Sequence, residues 1–93
     1  MESNKVYHQP RRMVLQVIND MMELQKGKLT FSDTPNGRIH FIVTMYANMT
    51  EHRFTVTDID ANQCSVKIEV EHDALGNVDQ IKREFALLDS MLC

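Results

Sequence analysis

The sequence predicts an α+β fold: a two-layer sandwich in which a four-stranded antiparallel meander carries both helices on one face. Apolar residues recur at helical spacing near the two ends of the chain, and between them they alternate with polar residues at a period of two. The links between the alternating segments are short enough for hairpins, which gives the order α-β-β-β-β-α. The length of 93 residues predicts a single domain over 1–93.

The first helix is predicted over 10–26. Pro10 suits the start of a helix, because its missing N–H needs no partner there. Gly27 is placed to end the helix as a left-handed C′ residue. We expect the preceding residues, 1–9, to form a flexible N-terminal segment. The apolar stripe of the helix consists of Val14, Val17, Ile18 and Met21.

The middle of the chain predicts four strands with one apolar face each. The segments are KLTFS, RIHFIVTMYANM, RFTVT and CSVKIEVEH. Polar residues occupy most of the alternate positions, which is typical of an antiparallel sheet that is covered on a single side. The predicted inward side chains are Leu29, Phe31, Ile39, Phe41, Val43, Met45, Ala47, Phe54, Val56, Cys64, Val66, Ile68 and Val70.

Helical spacing returns after residue 76. Asn77 is followed three residues later by Gln80, which together make a capping box. The apolar stripe of this second helix consists of Val78, Ile81, Phe85, Leu88 and Leu92. Both helices therefore have an apolar face that is available to cover the apolar face of the sheet.

The stretch DIDANQCSVKIE, residues 58–69, has the acidic spacing of a calcium-binding EF-hand loop. That loop requires glycine at its sixth position, where this chain has Gln63, and it requires a helix on each side, where this chain has strands. We therefore predict a hairpin turn instead. Three side chains favour that turn through local hydrogen bonds: Asp58, Asp60 and Asn62.

Other catalytic or metal-binding patterns are missing from the sequence. Cys64 belongs to an inward apolar row, so we expect a small core residue whose thiol pKa is raised. The 3 glycines are not grouped, so no phosphate-binding loop is predicted. We expect no enzyme activity, no metal and no cofactor. The histidines lack metal-ligand spacing and are expected at the surface or at strand ends: His8, His40, His52 and His72.

Charge and hydropathy restrict the expected binding partners and cellular location of the protein. The net charge of −3 argues against nucleic-acid binding, which depends on dense Lys and Arg. The first twelve residues have no apolar core of a signal peptide, and no segment approaches the ~20 apolar residues of a membrane span. We therefore expect a cytoplasmic protein without a membrane partner.

The main functional hypothesis is a non-catalytic domain that acts through protein association, with a second copy of itself or with another protein. Ile42 and Tyr46 form a small apolar patch on the outer sheet face, and further apolar residues lie off the helix stripes. The alternative is a carrier or sensor of a small apolar ligand between sheet and helices, for which the 7 methionines offer an adaptable lining. The candidate interface residues are Ile42, Tyr46, Leu15, Met22, Leu87 and Met91.

The order of helix, four-stranded meander and helix is similar to that of several small domains. These are secretion-chaperone-like dimers, nucleoid-associated α/β dimers and fragments of the helix-grip ligand-binding fold. The similarity concerns the order of elements alone, and no residue motif selects one of these families. Since a fold does not determine a function, both functional hypotheses stay open at this point.

Overall fold

A computed structural model describes residues 2–45, 48–70 and 77–92. The helices are α1, Arg11–Leu24, and α2, Asn77–Leu92, and a short 3₁₀ turn covers Thr34–Asn36. The strands are β1, Glu2–Tyr7; β2, Lys28–Asp33; β3, Arg38–Met45; β4, Asn48–Asp60; and β5, Gln63–Val70.

The strands form one antiparallel sheet in the order β1-β5-β4-β3-β2. The α+β class is confirmed, but the predicted count of four strands is wrong, because Glu2–Tyr7 is a fifth strand that pairs with β5. This strand lies inside the segment 1–9 that was expected to be flexible. The sequence did not indicate it because Val6 and Tyr7 are adjacent apolar residues in an otherwise polar stretch, so no alternating apolar face is visible.

The core lies between one face of the sheet, which we call the inner face, and the two helices. Helix α1 packs mainly on β3 and β4, and α2 packs mainly on β5. The predicted inward positions of β3, β4 and β5 are confirmed wherever the structure describes the side chain, whereas Met45 and Ala47 lie outside the described side chains. The buried core residues from the sheet are Tyr7, Ile39, Phe41, Val43, Phe54, Val56, Cys64, Val66, Ile68 and Val70. Those from the helices are Val14, Ile18, Met21, Met22, Ile81 and Leu88.

Strand β2 departs from the prediction that Leu29 and Phe31 both point into the core. A β-bulge between these residues places Leu29 opposite Phe41 and Phe31 opposite His40. The bulge therefore turns Phe31 to the outer face, where its ring lies 4.9 Å from the ring of His40. Leu29 does face inward, but it is 47% exposed because β2 is an edge strand beyond the main helix contacts.

The end of α1 forms a Schellman motif, but Gly27 is not its left-handed residue. Lys26 has the positive φ of 56°, and Gly27 follows it. The N–H of Lys26 donates to the carbonyl of Glu23 (3.0 Å), and the N–H of Gly27 donates to the carbonyl of Met22 (2.8 Å). The predicted C′ glycine is therefore one residue too late, and α1 ends at Leu24 rather than at the predicted Lys26.

The acidic stretch 58–69 is the β4–β5 hairpin, as predicted. Asp58 and Asp60 end β4, and the N–H of Asn62 donates to Asp60 Oδ1 (2.8 Å) within the turn. Cys64 begins the buried row of β5, and burial is the main cause of its raised thiol pKa, as the sequence suggested.

Gly37 joins the 3₁₀ turn to β3 with a φ of 71°. Its N–H donates to the carbonyl of Thr34 (3.0 Å), and its carbonyl accepts from the N–H of Val56 (2.7 Å). A Cβ at this position would lie 2.1 Å from the carbonyl oxygen of Val56. The hairpin connection therefore requires glycine for two reasons, the backbone conformation and the close approach of β4.

We predict that Gly37→Ala lowers the free energy of unfolding by about 2 kcal/mol or more, because the methyl group forces β3 and β4 apart locally. Urea denaturation monitored by circular dichroism measures the change. Thr34→Ala is the matched control, since it alters the same turn but keeps the carbonyl that Gly37 uses. Equal stability of the two variants would contradict the prediction.

Candidate functional site

A buried polar cluster lies in the layer between the sheet and the helices. His52 comes from the inner face of β4 and is 3% exposed, and Glu84 comes from α2 and is 4% exposed. Gln25, just after α1, and Gln80, in the first turns of α2, complete the cluster. Polar side chains are rarely this deeply buried unless they are hydrogen-bonded or serve a function.

The hydrogen bonds of the cluster are incomplete. Gln25 Nε2 donates to Glu84 Oε2 (3.1 Å) and to the carbonyl of Met21 (3.3 Å). His52 Nε2 lies 3.6 Å from Glu84 Oε1, which is too far for a hydrogen bond. Neither His52 Nδ1 nor Gln80 Oε1 has a hydrogen-bond partner among the described residues. A space of about 10 Å³ between these side chains is about large enough for one water molecule.

Burial shifts both ionisable groups of the cluster towards their neutral forms. Desolvation, followed by the nearby charge of Arg83, lowers the pKa of His52 to about 4. Desolvation also raises the pKa of Glu84, and this effect outweighs the hydrogen bond from Gln25, which acts in the opposite direction. Because the shifts oppose ionisation and the two side chains are 3.6 Å apart, we do not regard His52 and Glu84 as a salt bridge.

The sequence predicts His52 at the surface or at a strand end, and this prediction is wrong. The predicted strand began at Arg53, whereas β4 begins at Asn48 and brings His52 into phase with Phe54. The apolar pattern does not include Glu84, although it lies three residues after Ile81 and four before Leu88, in the buried stripe of α2. Extending both periodic patterns over polar residues would have found the pair.

We predict that the free energy of unfolding falls as the pH drops from 6.5 to 4. In this range the unfolded chain binds a proton at His52 that the folded protein does not bind, which is worth up to about 3 kcal/mol. Glu84 has the opposite effect, because its raised pKa stabilises the folded state at low pH and this contribution is lost as the pH rises.

Glu84→Gln should therefore lose more stability on acidification than the unaltered protein, and His52→Gln should lose less. Urea denaturation at several pH values between 6.5 and 4 measures both changes. The nuclear magnetic resonance titration of the His52 ring provides an independent check. A titration midpoint above 6.5 would show that the two groups form an ion pair instead.

A second feature is an open recess between β1 and the last turns of α2. Its volume is about 410 Å³. One wall is the end of β1 with the residues that follow it, and the other wall is the carboxyl end of α2. The lining residues are Lys5, Val6, Tyr7, His8, Gln9, Asp89 and Leu92.

Three polar side chains converge on one wall of this recess. Tyr7 donates from its hydroxyl to Asp89 Oδ1 (2.7 Å), and Lys5 donates from Nζ to Asp89 Oδ2 (2.5 Å). Desolvation pushes the pKa of Asp89 up, but the hydrogen bonds from Lys5 and Tyr7 outweigh it and hold that pKa below its usual value. Burial and the bond to Asp89 raise the pKa of the Tyr7 phenol. The tyrosine is therefore a neutral hydroxyl at neutral pH, and the ammonium of Lys5 faces a carboxylate.

The candidate interface residues from the sequence are scattered over the molecule. Ile42 lies half-buried on the outer sheet face, and Tyr46 lies outside the described residues. Met22 is 9% exposed and belongs to the core. Three others are partly buried and pack against the core from the helices: Leu15, Leu87 and Met91. Their role in an interface stays a prediction.

Within the described ranges, no group of three or more His, Cys, Asp or Glu side chains is placed to hold a metal ion. His8 is exposed, His40 is half-buried on the outer face, and His72 lies outside these ranges. Neither described helix combines the length and the apolar composition that a membrane span requires.

No protein-family model matches the chain, and no curated protein matches its sequence. Several solved structures resemble its fold, among them the following two. The di-domain ARO/CYC StfQ from the steffimycin biosynthetic pathway aligns over 98% of this chain with a TM-score of 0.53 and 10% identity, and the chain spans 43% of StfQ. A START superfamily protein from Mycobacterium smegmatis aligns over 99% of this chain and 92% of its own length, with a TM-score of 0.50 and 8% identity. At these identities the likeness shows the fold alone.

Proposed function

We propose that the protein binds a small, largely apolar molecule in the recess between β1 and α2. The recess itself carries this proposal, because about 410 Å³ lies within the range of roughly 300–1,000 Å³ that small-molecule sites occupy. It also has the usual composition of such sites, an apolar lining with a few converging polar groups. The proposal is one of binding rather than of catalysis.

The polar wall indicates the kind of ligand. Both carboxylate oxygens of Asp89 accept hydrogen bonds from β1, so this group is already engaged within the protein. Lys5 is 45% exposed at its side chain and has three N–H donors, of which the bond to Asp89 uses one. A ligand that carries an acceptor or an anionic group at one end can therefore bind the Lys5 ammonium. Its apolar part would contact Leu92 and, at the rim of the recess, Val6, whose side chain lies on the outer side of β1 opposite Ser65.

The structural comparisons support ligand binding more than they support association. One protein with a similar fold is an ARO/CYC from the steffimycin biosynthetic pathway, and the other belongs to the START superfamily. This favours the second of the two hypotheses from the sequence, a site for a small apolar ligand between sheet and helices. Protein association as the main function rests on the sequence alone.

We predict that 1-anilinonaphthalene-8-sulfonate binds in the recess, since it combines an apolar ring system with one anionic group. Fluorescence titration gives the dissociation constant, and amide chemical-shift changes locate the probe. We expect shifts around Lys5–Gln9 and Asp89–Leu92. Val6→Glu should weaken binding about tenfold, because it places a carboxylate at the rim of the recess, where it repels the sulfonate.

Ile59→Glu is the matched control for this experiment. Ile59 is 52% exposed and Val6 is 50% exposed, both on strands, but Ile59 is not among the residues that line the recess. The control should bind the probe as the unaltered protein does. Lys5→Met should weaken binding of the sulfonate more than binding of the neutral analogue N-phenyl-1-naphthylamine. Equal losses in Val6→Glu and Ile59→Glu, or shifts elsewhere in the chain, would contradict the site.

A further inference from the structure

Strand β2 is an edge strand with exposed apolar side chains on both of its faces. Its ladder partner in the described sheet is β3, so the main-chain donors and acceptors along its other side have no strand partner there. Leu29 is 47% exposed on the inner face and Phe31 is 43% exposed on the outer face. Long edges with exposed apolar residues are sites where another strand adds to a sheet.

The sequence of β2, KLTFSD, is complementary to itself in the antiparallel direction. When two copies of β2 align end to end, Lys28 of each copy lies opposite Asp33 of the other. The positive charge at the start of the strand thereby meets the negative charge at its end, twice in the same pairing. Three kinds of pair result, each occurring twice: Lys28 with Asp33, Leu29 with Ser32, and Thr30 with Phe31.

In each pair formed between the two copies of β2, both side chains lie on the same face of the sheet. The bulge in β2 makes this possible. Leu29 and Ser32 face inward, opposite Phe41 and Ile39. The outer face carries the other four residues, two of them placed by the bulge: Lys28, Thr30, Phe31 and Asp33. A two-fold axis perpendicular to the sheet keeps inner and outer faces on their own sides, so each of the three pairs joins side chains of one face.

A regular strand of six residues does not allow this arrangement. In strict alternation the first and last residues point to opposite faces, so a full end-to-end pairing would join inner with outer side chains. The other edge strand, β1, shows this conflict: Glu2 pairs with Glu69 of the outer face, whereas Tyr7 pairs with the buried Cys64. Strand β1 also lacks opposite charges at its two ends. The observations therefore distinguish the β2 edge from the β1 edge.

We propose that two copies of this chain associate through their β2 strands and form one continuous antiparallel sheet of ten strands. The interaction consists of main-chain hydrogen bonds along β2, burial of Leu29 and Phe31 against the second copy, and two symmetric Lys28–Asp33 ion pairs. Asp33 keeps its hydrogen bond from Asn36 Nδ2 (2.7 Å) and has its second oxygen available for the lysine. This interface differs from the outer-face patch that the sequence suggested, and it leaves the recess at β1 open.

Sedimentation equilibrium in low-salt, reducing buffer tests the proposal with a charge swap. Lys28→Asp and Asp33→Lys each place like charges opposite one another at two positions, so each should raise the dimer dissociation constant about tenfold or more. The combined variant Lys28→Asp/Asp33→Lys restores opposite charges and should recover most of the affinity. Lys82→Asp is the control for Lys28→Asp, because it makes the same change in net charge at an exposed position on α2.

Each outcome has a definite meaning. Weakening by both single changes, recovery in the combined variant and no effect of Lys82→Asp would support the β2 interface. A protein that is monomeric up to millimolar concentration would overturn the proposal. It would also be overturned if a dimer forms but the single changes do not weaken it, or if the combined variant is as weak as the single ones. Circular dichroism of every variant confirms that the monomer itself has folded.

Discussion

Across residues 2–45, 48–70 and 77–92, the inner face of the sheet is five strands wide and two helices cover it. Burial of apolar surface is the main stabilising contribution in a domain of this size, at roughly 25 cal/mol per Å². The helices therefore cover the central strands, where the fully buried Phe41, Phe54 and Ile68 lie, and the edges receive less. The properties of the two edge strands follow from their incomplete burial by the helices.

The two edge strands, β1 and β2, differ in the contacts that replace coverage by a helix. Strand β1 has few apolar residues, and polar contacts from Lys5 and Tyr7 to Asp89 connect it to α2. Strand β2 keeps its apolar residues but turns one of them, Phe31, to the outer face through a bulge. A recess beside polar groups therefore lies at β1, and a strand edge with exposed apolar surface lies at β2. The candidate binding surfaces of the molecule are therefore at its edges.

The parts of the structure that the sequence predicted are those whose stability comes from regular apolar burial. The core is directly visible in the apolar alternation of β3, β4 and β5 and in the apolar stripes of α1 and α2. Each face of these elements is either buried or exposed to solvent. Strand β1 escaped prediction since its pairing with β5 joins residues 57 to 67 positions apart (Tyr7 with Cys64, Glu2 with Glu69), and its contact with Asp89 joins residues 82 positions apart. The bulge at Leu29–Phe31 depends on the pairing with β3, which local sequence does not specify. The buried pair His52 and Glu84 escaped because polar residues were assumed to face solvent, although both lie in phase with buried neighbours.

The contact between β1 and α2 also affects the order in which the parts of the protein fold. Gln9 donates to the carbonyl of Leu92, and Tyr7 donates to Asp89, so residues near the beginning of this sequence contact residues near its end. During synthesis the helix that completes the recess leaves the ribosome after the whole sheet. Contacts across such long sequence separations close a large loop of chain and form late in folding. The meander of β2 to β5, whose hairpins are local, can assemble earlier, and the recess becomes complete only with the final docking of β1 against α2.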